Sequence, residues 1–143
     1  MTHMARPVGN VATKSTGTLT AATVPLFTIA GGAVEVTAIV GRVTTAVTVA
    51  NAYKLQFNPT LGTTKDICTT LDIGTTDTVL GEQLSVSGIP TEALALGAGP
   101  FKVGAFILGV PGQIEHVSAG TDGVILWVVT WHPLETGASL VAA

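Results

Sequence analysis

Three histidines, His3, His116 and His132, are the residues of this chain best suited to proton transfer or metal binding. A zinc site needs three or four ligands at suitable spacing, and the sequence has no HxH or HExxH pattern. Glu115 precedes His116, but neighbouring residues of a strand point to opposite faces, so this pair is poorly placed for general-base chemistry. We therefore predict surface or interface roles for the histidines.

Three aspartates, Asp66, Asp72 and Asp77, lie close together in a threonine-rich stretch. Carboxylates and carbonyls can hold Ca²⁺, but alternating Asp/Asn ligands with a closing glutamate are missing. The pattern favours aspartates that cap turns by accepting hydrogen bonds from nearby backbone amides. Asp122, within Thr-Asp-Gly, is predicted to be a turn residue as well.

Nucleophilic chemistry has little support in the sequence. No serine stands in a Gly-x-Ser-x-Gly elbow, and no glycine-rich segment ends in Gly-Lys-Ser/Thr. Cys68 is alone, which excludes an intrachain disulfide, and we expect it to be a small buried residue. We predict a protein without catalytic residues, cofactor or metal, and keep a small hydrolase on a β scaffold as the weakest hypothesis.

The aromatic residues allow two interpretations. Trp127 and Trp131 share one face of a predicted strand, and with Tyr53 they are the candidates for a sugar-binding platform. Buried aromatics more often supply apolar area to a core, which is the interpretation we favour.

The composition points to a protein that is covered by other chains. Hydrophobic residues make up 47% of the 143 residues and charged residues only 10%, against about 25% in an ordinary soluble domain. Monomers rarely leave large apolar patches in water, so an assembly subunit is favoured. The six basic residues are scattered, which argues against nucleic acid, and no apolar run approaches the length of a membrane span.

The fold class predicted is all-β, as a single-domain sandwich or a jelly-roll-like barrel. Threonine occurs 23 times, and together with Val and Ile it gives a strongly β-branched chain punctuated by 17 glycines. Strands are expected at 24–29, 34–49, 53–57, 84–87, 101–108, 113–118 and 124–131. Gly41-Arg42 is expected to bend or break the second of these.

Between these strands, residues 60–82 are expected to form a long loop or short irregular strands, and 91–96 one helical turn. A turn is expected at Gly31-Gly32, and a tight Asp-Gly hairpin turn at 119–123. In 124–131 both strand faces are apolar, so this strand is either central or lies between its own core and a neighbour.

Both ends of the chain are expected to reach other subunits. Residues 1–20 lack periodicity and are predicted to be an extended arm, residues 21–134 the β domain, and residues 135–143 a tail. Added strands at exposed sheet edges would lock these ends onto neighbours. The predicted interface residues are Arg6, Pro7, Val8, Val11, Trp131, Leu134, Leu140 and Val141.

Two stretches resemble small virion proteins of tailed bacteriophages. The first is Pro111-Gly-Gln-Ile114 followed by Gly120-Thr-Asp-Gly123, Leu126-Trp-Val-Val-Thr-Trp-His-Pro-Leu134 and Gly137-Ala138, which looks like their terminal hairpin with an aromatic strand and a Pro-Leu exit. The second, Phe27–Gly41, is similar to their first hairpin. Together the two stretches cover about half of the chain, and residues 58–100 show no likeness.

The resemblance implies a structural role in a virion, as a head decoration (cement) protein on the capsid surface. Its partners would be major capsid subunits and copies of itself, often as a trimer. The alternative is a tail or fibre component that binds a host glycan or protein.

Overall fold

A computed structural model of the chain describes residues 9–143, and it is built from strands. The twelve strands are β1 (Asn10–Ser15), β2 (Ala22–Ala30), β3 (Val34–Thr45), β4 (Ala52–Pro59), β5 (Lys65–Asp66), β6 (Leu71–Asp72), β7 (Gln83–Ser85), β8 (Ala95–Gly97), β9 (Phe106–Leu108), β10 (Gly112–Ser118), β11 (Val124–Pro133) and β12 (Ser139–Ala142). Among the described residues, no helix is long and apolar enough to cross a membrane.

The strands form two antiparallel sheets that pack as a sandwich and do not close into a barrel. Sheet A has the order β1-β11-β3-β7-β8, and β9 also pairs with β3. Sheet B has the order β12-β2-β10-β4-β5, and β6 also pairs with β4. The all-β prediction is confirmed, and of the two predicted architectures the sandwich is the one observed.

The two predicted hairpins are wrong. Strands β2 and β3, on either side of Gly31-Gly32, belong to different sheets, and so do β10 and β11, on either side of the Asp122-Gly123 turn. Each turn is therefore an arch that carries the chain across the sandwich. Turn residues report local backbone angles, whereas the choice of strand partner depends on contacts distant in sequence.

The two predicted terminal extensions contain strands of this chain's own sheets. In the predicted arm, Asn10–Ser15 pairs with β11 over the whole of its length. In the predicted tail, Ser139–Ala142 pairs with β2. Lys14 links these two edge strands, because its Nζ donates a hydrogen bond to the carbonyl oxygen of Ala143 at 2.6 Å. These segments therefore complete the sandwich, which corrects their assignment to neighbouring subunits.

Strand β11 is central, as predicted, because it lies between β1 and β3. Its inward residues, Ile125, Trp127, Val129 and Trp131, are buried in the common core. Strand β3 continues through Gly41, where a bend or break was expected. A Cβ at Gly41 would lie 3.1 Å from the Trp127 ring, so the glycine makes room for the indole and does not interrupt pairing.

The middle of the chain forms short strands at the open side of the sandwich. Residues 60–82 contain the two-residue strands β5 and β6, as expected. The predicted helical turn at 91–96 is wrong: Ala93 makes a bridge to Thr69, and Ala95–Gly97 is a strand. In the predicted strand 101–108 only Phe106–Leu108 is paired.

Candidate interaction surface

A chain of polar groups crosses the core between the two sheets. The indole Nε1 of Trp127 donates to the Tyr53 hydroxyl at 3.0 Å, and that hydroxyl lies 2.7 Å from Nδ1 of His116. The indole can only donate, so the tyrosine hydroxyl accepts from it and is free to donate its own proton to His116. This arrangement needs a neutral imidazole that carries its proton on Nε2.

Burial keeps these groups uncharged. It lowers the pKa of His116 from 6.5 to about 4, and it raises the pKa of Tyr53 above its usual value of 10. His116 is 2% exposed and Tyr53 fully buried, which corrects the predicted surface or interface role of this histidine. These hydrogen bonds link β4 and β10 of sheet B to β11 of sheet A.

Glu115 and His116 point to opposite faces of β10, as predicted. The glutamate lies on the outside of sheet B, where it accepts hydrogen bonds from Gln56 at 2.8 Å and Asn58 at 3.2 Å. The pair therefore does not form a catalytic unit.

The aspartates mainly hold loops. Asp72 accepts hydrogen bonds from the Thr75 hydroxyl and from the backbone amides of Gly74, Asn51 and Thr75, and these bonds lower its pKa. Asp122, in the loop between β10 and β11, accepts hydrogen bonds from the Thr48 hydroxyl and from the backbone amides of Thr48 and Val49, and so joins its own loop to the segment after β3. Asp66 instead pairs with Lys54 at 2.6 Å. Within residues 9–143 no group of three or more potential metal ligands comes together.

Two further side chains of interest are buried. Cys68 is fully buried, as predicted, and burial raises the pKa of its thiol to about 11. Trp127 and Trp131 both lie in the core, as favoured over a sugar platform. The indole nitrogen of Trp131 has no hydrogen-bond partner among the described residues.

The predicted interface residues divide into three groups. Val11, Leu134 and Val141 are exposed and available to a partner. Trp131 and Leu140 are buried inside this chain, so for these two the interface prediction is wrong. Arg6, Pro7 and Val8, together with His3, lie outside the described residues.

Sheet A presents an outer face built mainly of aliphatic and threonine side chains, with few charges. Side chains of β1, β11 and β3 that are directly opposite share a face, so the register fixes which residues point outward. We define the outer face of sheet A by these outward residues of the three strands: Val11, Thr13, Ser15, Glu35, Thr37, Ala38, Val40, Arg42, Thr44, Val124, Leu126, Val128, Thr130 and His132. Ile107 of β9, which is opposite Glu35 and 62% exposed, extends it.

Three of the four threonine hydroxyls on this face, those of Thr37, Thr44 and Thr130, are already hydrogen-bonded within the sheet. Thr37 Oγ1 lies 2.7 Å from Thr130 Oγ1 and donates to the Thr130 carbonyl at 3.0 Å. Thr44 donates to the carbonyl of Val124 at 3.3 Å. Covering these three side chains would leave none of their hydroxyls unpaired, so their burial costs little in lost hydrogen bonds to water.

Sheet B presents a polar outer face of a different kind. Its outward residues in β2, β10 and β4, with Asp66 of β5, are Thr23, Pro25, Thr28, Lys54, Gln56, Asn58, Asp66, Gln113, Glu115 and Val117. The charges on it are satisfied within the chain, through Lys54 with Asp66 and through Glu115 with two amides. This face is suited to water.

A groove opens between β5 and β9, at the side where the two sheets diverge. Its volume is about 190 Å³, and it is lined mainly by apolar side chains that include Phe57, Ile67, Phe106 and Leu108, with Lys65 and Asp66 at its rim. A second depression, of about 250 Å³, lies among Thr60, Leu61, Val110 and Pro111.

Compared with protein-family models, with curated proteins and with solved structures, the chain gives no match. The site therefore has to be judged from its own chemistry. Within the described residues, the most distinctive feature is the outer face of sheet A. The sequence signal for it was the apolar character of both faces of 124–131, but the contributions of β1 and β3 depend on pairing that no local pattern reveals.

Proposed function

We propose that this chain is a structural subunit of a larger assembly, and specifically a head decoration (cement) protein on the capsid surface of a tailed-phage virion. The observation that supports the proposal most strongly is the outer face of sheet A, where the outward side chains of β11 are mainly aliphatic. A sandwich in water usually alternates buried and polar residues along each strand. In β11, the outward residues Val124, Leu126 and Val128 break that alternation.

The low content of charged residues supports the same proposal, since obligate interfaces are depleted in charge and resemble a protein core. In a shell, each subunit would hold several partners at once. Local opening must then break several contacts together, which makes weak individual contacts sufficient.

Co-sedimentation with phage heads tests this proposal. Heads from the phage that encodes the chain, prepared without it, should bind the purified protein at saturable stoichiometry and then resist heat or low ionic strength better than bare heads. Binding only to tails, or no binding to either part, would contradict the decoration role.

A second candidate function is a tail or fibre module that binds a host glycan or protein. The groove between β5 and β9 favours it, because aromatic and apolar walls with a lysine and an aspartate at the rim suit a ligand with both apolar and polar parts. Saturable binding of a glycan by the isolated protein, lost on Phe106→Ala, would favour this function over the first.

A further inference from the structure

We propose that the outer face of sheet A docks against the same face of a second copy of this chain. The two copies are related by a two-fold axis that lies in the contact plane and runs perpendicular to the strands. This inference rests on the proposed function, because it names one partner of an assembly subunit. It places β3 over β3 and β11 over β11, with the facing strands antiparallel.

The charges on the face carry the inference. The outward positions of β1, β11 and β3 hold one acidic residue, Glu35, and one basic residue, Arg42, both on β3. Among residues 9–143 the ion pair found is Lys54–Asp66, so neither Glu35 nor Arg42 has an ion-pair partner within the described residues. Within residues 9–143, the face thus carries two opposite charges without an ion-pair partner.

A two-fold axis can bring each of these charges opposite the other charge on a second copy. The two residues lie near opposite ends of β3, about 20 Å apart at the rise of a strand. An axis halfway between them reverses the direction of the strand, so that Glu35 of each copy faces Arg42 of the other. An isologous contact of this kind forms every such pair twice.

The remaining residues agree with the same axis. Glu35 is opposite His132, and Arg42 is opposite Leu126, so the axis passes over β11 at Val129. Val128 would then face Thr130 of the other copy, and Val40 would face Ala38. Small and β-branched side chains meet across the centre, while the charged groups lie towards the rim, as in typical interfaces.

The alternatives are less well matched. The outer face of sheet B has its charges paired internally, so it offers a second copy no unmatched charge. For sheet A, three strands and about eight residues of length give a contact of roughly 400 Å² per copy, or about 800 Å² in total, which is below the roughly 1,200–2,000 Å² of stable specific interfaces. We therefore expect a weak dimer in solution that is strengthened when many copies are held together.

Charge reversal provides the test. In sedimentation equilibrium of the full chain, Glu35→Arg alone and Arg42→Glu alone should each weaken dimerisation at least tenfold, because like charges then face each other. Mixing the two single variants should restore association as a heterodimer, and the double variant Glu35→Arg with Arg42→Glu should dimerise like the wild type. Lys54→Glu, a charge reversal on sheet B, is the control and should leave dimerisation unchanged.

The outcomes separate this inference from the proposed function. Failure of the mixed variants to associate, or single variants that dimerise normally, would overturn the two-fold contact. A wild-type chain that stays monomeric yet binds heads would also overturn it, while leaving the decoration role intact. If the chain dimerises as described but binds no phage particle, the result would support the two-fold contact and contradict the decoration role.

Discussion

The outer faces of the two sheets differ although both cover the same core. On sheet A, the outward residues of the central strand β11 are Val124, Leu126, Val128, Thr130 and His132. On sheet B, the outward residues of the central strand β10 are Gln113, Glu115 and Val117. The core between the sheets is filled by the inward residues, so it does not account for the aliphatic outward residues of β11. In the assembly that we propose, the outer face of sheet A is the covered side.

Equivalent substitutions on the two faces should have very different effects. Val128→Lys places one lysine from each copy in the proposed contact. Burying each charge should weaken the dimer by about 2 kcal/mol or more. The dimer dissociation constant should therefore rise by roughly a thousandfold. Sedimentation equilibrium measures this change.

Val117→Lys is the matched control, since Val117 is a half-buried valine on the outside of the central strand of sheet B. It should leave the dissociation constant unchanged. Equal weakening by both substitutions would mean that the two faces do not differ in function.

Acid should weaken the core that holds both faces together. The folded pKa of His116 is about 4, below its ordinary value of 6.5, so the unfolded chain binds the proton first as the pH falls. The contribution of His116 is fully present above pH 6.5 and is lost as the pH falls towards 4, by up to roughly 3 kcal/mol at about 1.4 kcal/mol per pH unit. Urea unfolding across this pH range measures the loss.

His116→Asn should remove this pH dependence between 6.5 and about 5, whereas His132→Gln should preserve it; below about pH 5, protonation of Asp72 and Asp122 adds a separate loss. A slope that survives in His116→Asn would show that another group is responsible, and that the polar chain from Trp127 to His116 does not join the sheets in the way described.

Polar residues on sheet B should matter for stability alone. Glu115→Ala removes the carboxylate that binds Gln56 and Asn58, and hydrogen bonds to a charged group contribute about 1.5 kcal/mol or more each. We expect a loss of about 1.5 kcal/mol in the free energy of unfolding, measured by urea titration, because water can partly replace the lost partner. A parallel loss of dimerisation would contradict the division between the two faces.

The smallest effect is expected at the Lys54–Asp66 ion pair. The side chains are 26% and 40% exposed, and surface pairs of this kind contribute about 1 kcal/mol or less. Asp66→Asn should therefore change the free energy of unfolding by less than about 1 kcal/mol, and salt should change it little further. A larger loss would mean that β5 depends on this pair for its attachment to β4.

Local patterns predicted the strands with clear alternation but not their partners. The alternation in 53–57 correctly indicated a strand, with Tyr53 and Leu55 buried, because the period of two is a property of the strand itself. The β-branched and aromatic run 124–131 correctly indicated another strand, with Trp127 buried. Gly31-Gly32 and Asp122-Gly123 indicated turns, but the same turn residues serve a hairpin or an arch between sheets. Strands β5, β6, β8 and β9 have two or three residues each, too few to show a period.

The interaction surface was predictable only in part. The two apolar sides of 124–131 gave a direct signal, whereas Asn10–Ser15 looked like an unattached arm because its outward residues, Val11 and Thr13, alternate with a small alanine and a lysine. Its place in sheet A depends on pairing with residues more than 100 positions away. Trp131 and Leu140 were predicted to face partners because burial within the chain cannot be told from burial at an interface by hydrophobicity alone.

Thiol labelling of the two central strands tests the central claim most directly. Val128→Cys and Val117→Cys report the outer faces of sheets A and B, while Cys68 stays unreactive because it is buried and its pKa is raised to about 11. As the protein is concentrated, labelling of Val128→Cys should slow in step with dimer formation, and labelling of Val117→Cys should stay constant. Constant rates for both, or slowing at Val117→Cys instead, would contradict coverage of sheet A by a second copy.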